Sequence, residues 1–395
     1  MSGPDRLSLE QARRLAVRAQ LLAGGARLDP GIDGLRQVLR AVRCLQLDPV
    51  NVVARSHLLV LWSRLGDFDR AHLDTLLWRE RWLFEYWAHA ASIVLAEDYP
   101  VHHLMMRAFP RYAEVRNWMT SNEEFRRYIL DRLRESGPLS AEAFEDRSAV
   151  GWVSTGWTHG RNVERMLDFL WKQGTVTVAG RDGLRRLWGP AEFPVAAELS
   201  QEEAVRRAAE LALLALGVAR ERDIVRHFTR DRYPGLDLPS CGFARRVRVE
   251  GGTEDWWVHT DSFGLLDEER WAPRTTLLSP FDNLICDRER TRRLWGFAYK
   301  NEIYVPKHKR QYGAYTMPVL CDEELIGRVV PRADRRRGVL VIEGVFAEDG
   351  AAPEAGPAIA VAIESLAAFA GAGSVSYEGP VCEQWAGVLK GSSGT

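Results

Sequence analysis

Apolar side chains recur at helical spacing along the first part of the chain. Leu9, Ala12, Ala16 and Ala19 form one stripe over residues 8–22, and Leu35, Val38, Leu39, Val42 and Leu45 form a second. Both segments predict amphipathic helices that pack on a common core. The second stripe stops abruptly at Gln46-Leu47-Asp48-Pro49. Helical spacing resumes through Leu73, Leu76 and Leu77 and ends in the aromatic-rich segment from Trp82 to Trp87. Ser121, followed three residues later by Glu124, spells a capping box for a helix of about 12 residues that Gly137-Pro138 ends.

From residue 140 the order of elements is that of a winged helix. Ser140 can cap a short helix, residues 151–160 connect, and Val163, Met166, Leu167, Leu170 and Trp171 make the face of a second helix. "TVTVAGRDGLRRLWG" then alternates into and out of a Gly180-Arg181-Asp182-Gly183 turn, a β-hairpin pattern. A weaker echo runs from Glu202 to Tyr233, with Gly217 as a helix stop, followed by the strand-like "RRVRVEGG" and "DWWVHT". Beyond residue 270, "TTLLSPFDNLI", "EIYVPKH", "AYTMPVLC", "ELIGRVV" and "GVLVIEGVF" predict short strands closing into a small sheet or barrel. "AIAVAIESLAAFAG" predicts a last helix, residues 347–356 a flexible loop, and the terminal "GSSGT" a disordered end. The expected fold is α+β, with tandem winged-helix (helix-turn-helix) units followed by a C-terminal β-rich, barrel-like domain. Its expected divisions are 1–118, 119–198, 199–270 and 271–395.

Composition narrows the functional classes. A chain of 395 residues can bury a sizeable core. Its formal net charge of −1 argues against a protein that coats nucleic acid without specificity. That total hides an asymmetry, because Arg288 to Gly313 carries eight Lys/Arg against two acids, and Arg328 to Arg337 carries five Arg against one Asp. Such runs face phosphate or are solvated, salt-bridged surfaces. The five cysteines lack CxxC or Cys/His spacing, so buried thiols are expected and neither a disulfide framework nor a metal site. Without a secretory leader or an apolar span, a cytoplasmic location is expected.

The interruption at Gln46 to Pro49 carries the candidate chemistry. Proline disfavours helical geometry at Asp48, and in an extended segment alternate side chains share a face. Gln46 and Asp48 then stand side by side, with Leu47 expected to point inward and anchor them. An amide and a carboxylate so placed can hold one water, the carboxylate taking its proton or stabilising a nearby positive charge. The same pattern also arises where a helix simply ends before an ordinary loop aspartate.

Several long blocks in order make the chain resemble the AlkZ/YcaQ winged-helix DNA glycosylases. These are "LSLEQARRLAVRAQ", "LQLDPVNVVARSH", "LFEYWAHAASIV", "GWVSTGWTHGRNVERMLDFLWKQGTV" and "LLSPFDNLICDRERTRRLWGFAYKNEIYVPKHKRQYGAYTMPVL". Gln46-Leu47-Asp48 matches the Gln-apolar-Asp element of the YcaQ branch. The chain departs from the family pattern at Pro49, where a small polar residue is expected, and at Val153, where a second Trp is usual. The resemblance implies tandem winged helices around a DNA channel and a C-terminal β-rich barrel. It also implies hydrolysis of the N-glycosidic bond of alkylated purines in double-stranded DNA, for some members including bulky adducts and cross-links. Gln46 and Asp48 are then the catalytic pair, and no cofactor or metal is needed.

Other residues receive expectations of their own. Arg55 is a natural phosphate contact, Asn51 could fix the catalytic loop, and His57 could approach the lesion strand. Arg181, Arg185 and Arg186 lie on the expected wing, where phosphate contacts are typical. Lys307, Lys309 and Arg310, with Arg335, Arg336 and Arg337, are the clusters expected to meet DNA. His89 reads as a structural histidine, and Trp157 as core or as a base-stacking residue. The alternative from another class is a winged-helix transcription regulator. The chain shows no heptad for the dimer that such a protein usually needs, so a monomer is expected.

Overall fold

The apolar stripes fold where local stereochemistry lets them. In chain order the computed structural model has β1 (Asp5–Leu7), α1 (Leu9–Ala19), α2 (Ile32–Val42), β2 (Cys44–Gln46), α3 (Ser56–Leu65), α4 (Arg70–Asp74), β3 (Leu83–Trp87) and β4 (Ala91–Leu95). Then come α5 (Tyr99–Ala108), α6 (Ala113–Ser121), α7 (Glu123–Ser136), α8 (Asn162–Lys172), β5 (Val176–Asp182), β6 (Arg185–Pro190), α9 (Gln201–Leu216), β7 (Val218–Ala219) and α10 (Glu221–His227). The remainder is β8 (Ala244–Val249), β9 (Asp255–His259), β10 (Thr275–Leu277), α11 (Arg288–Trp295), β11 (Met317–Cys321), β12 (Glu324–Asp334), β13 (Val339–Ala347), α12 (Gly356–Phe369), β14 (Ser374–Tyr377) and α13 (Glu383–Gly391). The structure describes residues 5–391 except 26–27, 155, 157–158, 193–198, 228–232, 234 and 268–270, so Trp157 and the last four residues of the chain lie outside it.

The chain forms two compact units, one built from residues 1–73 with 209–395 and the other from 74–208. In the first, a capping box forms at Ser8, whose side chain accepts the Gln11 N–H while Gln11 reaches back to the Ser8 N–H. It satisfies two of the donors that a helix start leaves orphaned. Helix α1 then buries Ala12, Leu15, Ala16 and Val17 in a core with Val247, Trp256, Leu284, Leu294 and Phe297. Strand β1 pairs in parallel with β8 in a sheet ordered β1-β8-β9-β7. Gly217 stops α9 at φ +72°, and a Cβ there would sit 2.4 Å from the Leu15 carbonyl oxygen, so both conformation and packing demand glycine.

The C-terminal strands make one five-stranded sheet ordered β10-β11-β12-β13-β14. It is antiparallel from β10 to β13, with β14 added in parallel. The β12–β13 ladder shifts register between Val330 and Pro331, where proline has no N–H to give. Helix α12 buries Ile359, Ile363 and Leu366, and α13 buries Trp385 completely.

Several expectations are corrected here. "EIYVPKH" forms no strand; residues 302–313 are a loop with one 3₁₀ turn at Lys307–Lys309. Helix α11 was hidden inside the charge run because its sequence, RERTRRLW, is mostly charged although Arg290, Leu294 and Trp295 are buried. Of the cysteines, Cys44 and Cys241 are buried but Cys286, Cys321 and Cys382 are partly exposed.

In the second unit, Ser121 ends α6 and caps nothing. Asn122 sits at the junction, its side chain donating to the Trp118 and Val150 carbonyls, and α7 begins at Glu123. Leu83 to Tyr86 is buried at four successive positions, so β3 lacks the period-two alternation that marks a half-exposed strand. Residues 83–95 therefore form the antiparallel hairpin β3–β4 where the aromatic-rich segment predicts the end of a helix. Helices α7 and α8 precede the β5–β6 hairpin, as expected, but a register shift between Val178 and Gly180 carries the strands on to Asp182 and Arg185.

Candidate active site

Helix α2 ends at Val42, and Arg43 adopts φ +63°, which turns the chain out of the helix and into β2. Leu45 therefore lies on the strand and not on the helical stripe. Cys44 and Leu45 are fully buried and anchor the segment, whereas Leu47, the expected anchor, is partly exposed. Gln46 closes the strand, and Asp48 follows in the loop before Pro49, both partly exposed.

One oxygen of Asp48 is fixed. Its Oδ1 accepts the Val50 N–H at 2.9 Å, an Asx turn that orients the carboxylate. Its other oxygen makes no hydrogen bond among the described residues, which leaves an acceptor for a ligand or a water. The Gln46 carbonyl accepts from the buried Ser56 hydroxyl at 2.9 Å, tying the strand end to the first residue of α3.

The loop is clamped at both ends by residues far away in sequence. Behind β2, the buried Asn283 amide donates to the Cys44 carbonyl at 2.9 Å and the Val42 carbonyl at 3.2 Å. Beyond Asp48, the Arg335 guanidinium donates to Asn51 Oδ1 at 3.0 Å and to the Val53 carbonyl at 2.9 Å, and Ala333 N–H donates to the Val52 carbonyl at 3.0 Å. Under the Asn283 turn lies a bidentate ion pair, Arg64 to Asp282 at 2.7 and 3.0 Å, with both side chains wholly excluded from solvent. Arg64 also donates to Gln20 and Val60, and Asp282 Oδ1 accepts the Leu284 N–H, so the pair is well satisfied.

Tyr315 completes the surroundings. It is buried beside Ser279 and within electrostatic reach of Asp48, and its hydroxyl makes no well-formed hydrogen bond. Burial, reinforced by the neighbouring Tyr299 and Asp48, pushes its phenol far above the ordinary value, so it stays a proton donor. Asn283, Ser56 and Tyr315 carried no sequence signal of their own.

The cations expected on sequence grounds divide into two groups. Arg335 holds the loop, as described. Arg310 donates to the Val305 carbonyl at 2.8 Å, and Arg337 pairs with Glu378 at 3.1 Å. Within the second unit, Arg181 donates to the buried Glu85 at 2.7 Å, and Arg186 lies 3.8 Å from the same carboxylate and over the Trp171 ring. Arg185 pairs with Glu142 at 3.6 Å on the surface. His57 is only 8% exposed inside α3, so it does not present itself to a ligand. His89 lies partly exposed in the β3–β4 turn and not in a buried setting. Lys307, Lys309 and Arg336 are exposed, and with Arg55 at the start of α3 they have no ion pair among the described residues.

A family model described as DNA glycosylase AlkZ-like matches residues 39–369, a span that includes β2, the Asp48 loop and both clamps. Among solved structures, the Streptomyces sahachiroi DNA glycosylase AlkZ superposes with a TM-score of 0.63 over 95% of this chain and 100% of that chain, at 16% identity. That is a likeness of fold.

Proposed function

Because this chain belongs to the AlkZ-like DNA glycosylase family, and is a DNA glycosylase on that ground, we propose that it releases N7- or N3-alkylated purines from double-stranded DNA, with bulky or cross-linking adducts among its candidate substrates. The observation that carries the residue assignment is the Asp48 carboxylate, fixed through one oxygen and open at the other on a loop clamped at both ends. Alkylation leaves the purine positively charged, so it departs with the electrons of the C1′–N bond and needs no general acid. Asp48 stabilises the oxocarbenium-like sugar, and a water held by Gln46 adds to C1′ while Asp48 takes its proton. One well-placed charged group of this kind contributes a few kcal/mol to the barrier. Incubation with duplexes carrying adducts from methyl to cross-link, followed by alkali, tests the reading. Strand breaks at adducted purines support it, and their absence across the panel would defeat it.

Water is the expected nucleophile. A glycosylase that also cuts the strand uses an amine, usually a lysine, at the sugar, and no lysine occurs from Leu39 to Trp78. Borohydride added during turnover should trap no protein–DNA adduct, and the product should remain an intact strand with an abasic site until alkali is added. Efficient trapping that disappears when Lys300, Lys307 or Lys309 is replaced would reassign Asp48 to a supporting role.

Two of the three arginines at the tip of the β12–β13 hairpin, Arg335 and Arg336, should separate in their salt behaviour. Arg336→Glu is expected to weaken binding and lower the slope of log K against log salt by about 1, as the loss of one phosphate contact would. Arg335→Ala should leave that slope unchanged but slow base release, because Arg335 holds Asn51 and Val53. Equal slopes for both variants and wild type would remove Arg336 from the DNA interface.

A further inference from the structure

The loop from Glu302 to Gly313 is built with a rigidity that its exposed position does not by itself require. Glu302 is buried at its base, and its carboxylate accepts three backbone N–H groups, from Gln311 at 2.9 Å, Tyr312 at 2.9 Å and Gly313 at 3.3 Å. Arg310 ties the interior by donating to the Val305 and Ile303 carbonyls. Burial raises the Glu302 carboxyl, but the three N–H donors outweigh it and hold the group below the ordinary carboxylate range. Its contribution is thus present above that range and is lost only as pH falls through the lowered value.

This latched loop displays Tyr304, which is 78% exposed. Leaving so large a ring in water forgoes the burial that aromatic side chains normally obtain in a fold. Three to five residues further on, Lys307 and Lys309 are exposed without an ion pair among the described residues, and residues 303–313 contain no acid. Two residues beyond the latch, the buried Tyr315 is within electrostatic reach of Asp48, so the loop leads toward the region of the proposed catalytic carboxylate. A preorganised aromatic ring flanked by unpaired cations is complementary to a nucleobase and its phosphates. Stacking uses the ring face, and lysines placed nearby hold the backbone.

We propose that the loop from Glu302 to Gly313 is a DNA-contacting element in which Tyr304 stacks on a base next to the reaction site while Lys307 and Lys309 engage the flanking phosphates. The proposal rests on the glycosylase reading for its setting, but it can be tested without base release. The intact protein is titrated, at several salt concentrations, with a duplex containing a tetrahydrofuran abasic analogue opposite 2-aminopurine, whose fluorescence reports stacking. Tyr304→Ala should weaken binding about tenfold and abolish the fluorescence change, with the salt slope unaltered. Tyr304→Phe should bind as wild type, because the ring and not the hydroxyl is used. Lys307→Ala combined with Lys309→Ala should lower the salt slope by about 2 and keep the fluorescence change. Wild-type affinity and fluorescence in Tyr304→Ala, an equal loss in Tyr304→Phe, or an unaltered slope in the lysine pair would each overturn the proposal. If the wild type released no alkylated purine while this pattern held, the substrate reading would fall and the loop's contact with DNA would stand.

Discussion

Asp48→Asn is expected to lower the rate of base release by about two to three orders of magnitude, the scale seen when one well-placed stabilising group is removed from an active site. Asparagine retains an oxygen that can accept the Val50 N–H, so the Asx turn and the loop should keep their geometry. On the proposed mechanism, what disappears is the negative charge that stabilises the sugar cation and the base that receives the proton of water. Because both act on the transition state, affinity for an adducted duplex should stay within a few-fold of wild type. Single-turnover assays on methylated DNA, paired with binding measurements on an uncleavable abasic analogue, separate the two quantities. Retention of most activity would exclude Asp48 from the mechanism, whereas joint loss of activity and binding would mark it as a structural residue.

The second large effect is on stability. Removal of the Asp282 carboxylate leaves the Arg64 guanidinium charged and uncompensated in a site with no access to water. Unpairing a buried ion pair in this way costs about 3–5 kcal/mol, whereas replacing both partners by apolar groups of similar size is often nearly neutral. Asp282→Leu should therefore shift the urea midpoint strongly downward, and Arg64→Met added to it should recover more than half of the loss. The variant should also excise bases more slowly while still folded, because Asp282 fixes the turn that carries Asn283, and Asn283 holds Cys44 two residues before Gln46. A midpoint unchanged by Asp282→Leu would mean that the pair contributes nothing net to the fold.

Much of the chain was legible before its structure was known. The face of α8 follows from helical periodicity, and each of Val163, Met166, Leu167, Leu170 and Trp171 is buried. Gly217 ends α9 because its φ of +72° is a conformation that glycine adopts without steric cost. The placement of Gln46 and Asp48 outside a helix follows from Pro49, whose ring restricts the residue before it. In each case the determining interaction spans a few residues, or concerns the conformational range of a single one.

The charged residues show the other limit. Arg181, Arg310, Arg335 and Arg337 were indistinguishable in sequence from Lys307, Lys309 and Arg336, yet folding gives the first group internal partners and leaves the second in solvent. The partner of Arg181 is 96 residues away and that of Arg335 is 284 away. Asn283, which supports β2, lies 239 residues from Cys44. The capping box formed at Ser8 and not at Ser121 because α6 extends through Ser121 and removes it from the cap position. Sequence alone determined the buried faces of the periodic helices and that Gln46 and Asp48 would stand outside a helix. Tertiary structure alone decided which cations remain available and what holds the Asp48 loop, because the free energy of a charge or an amide depends on the solvent it loses and the partners it gains when distant segments meet.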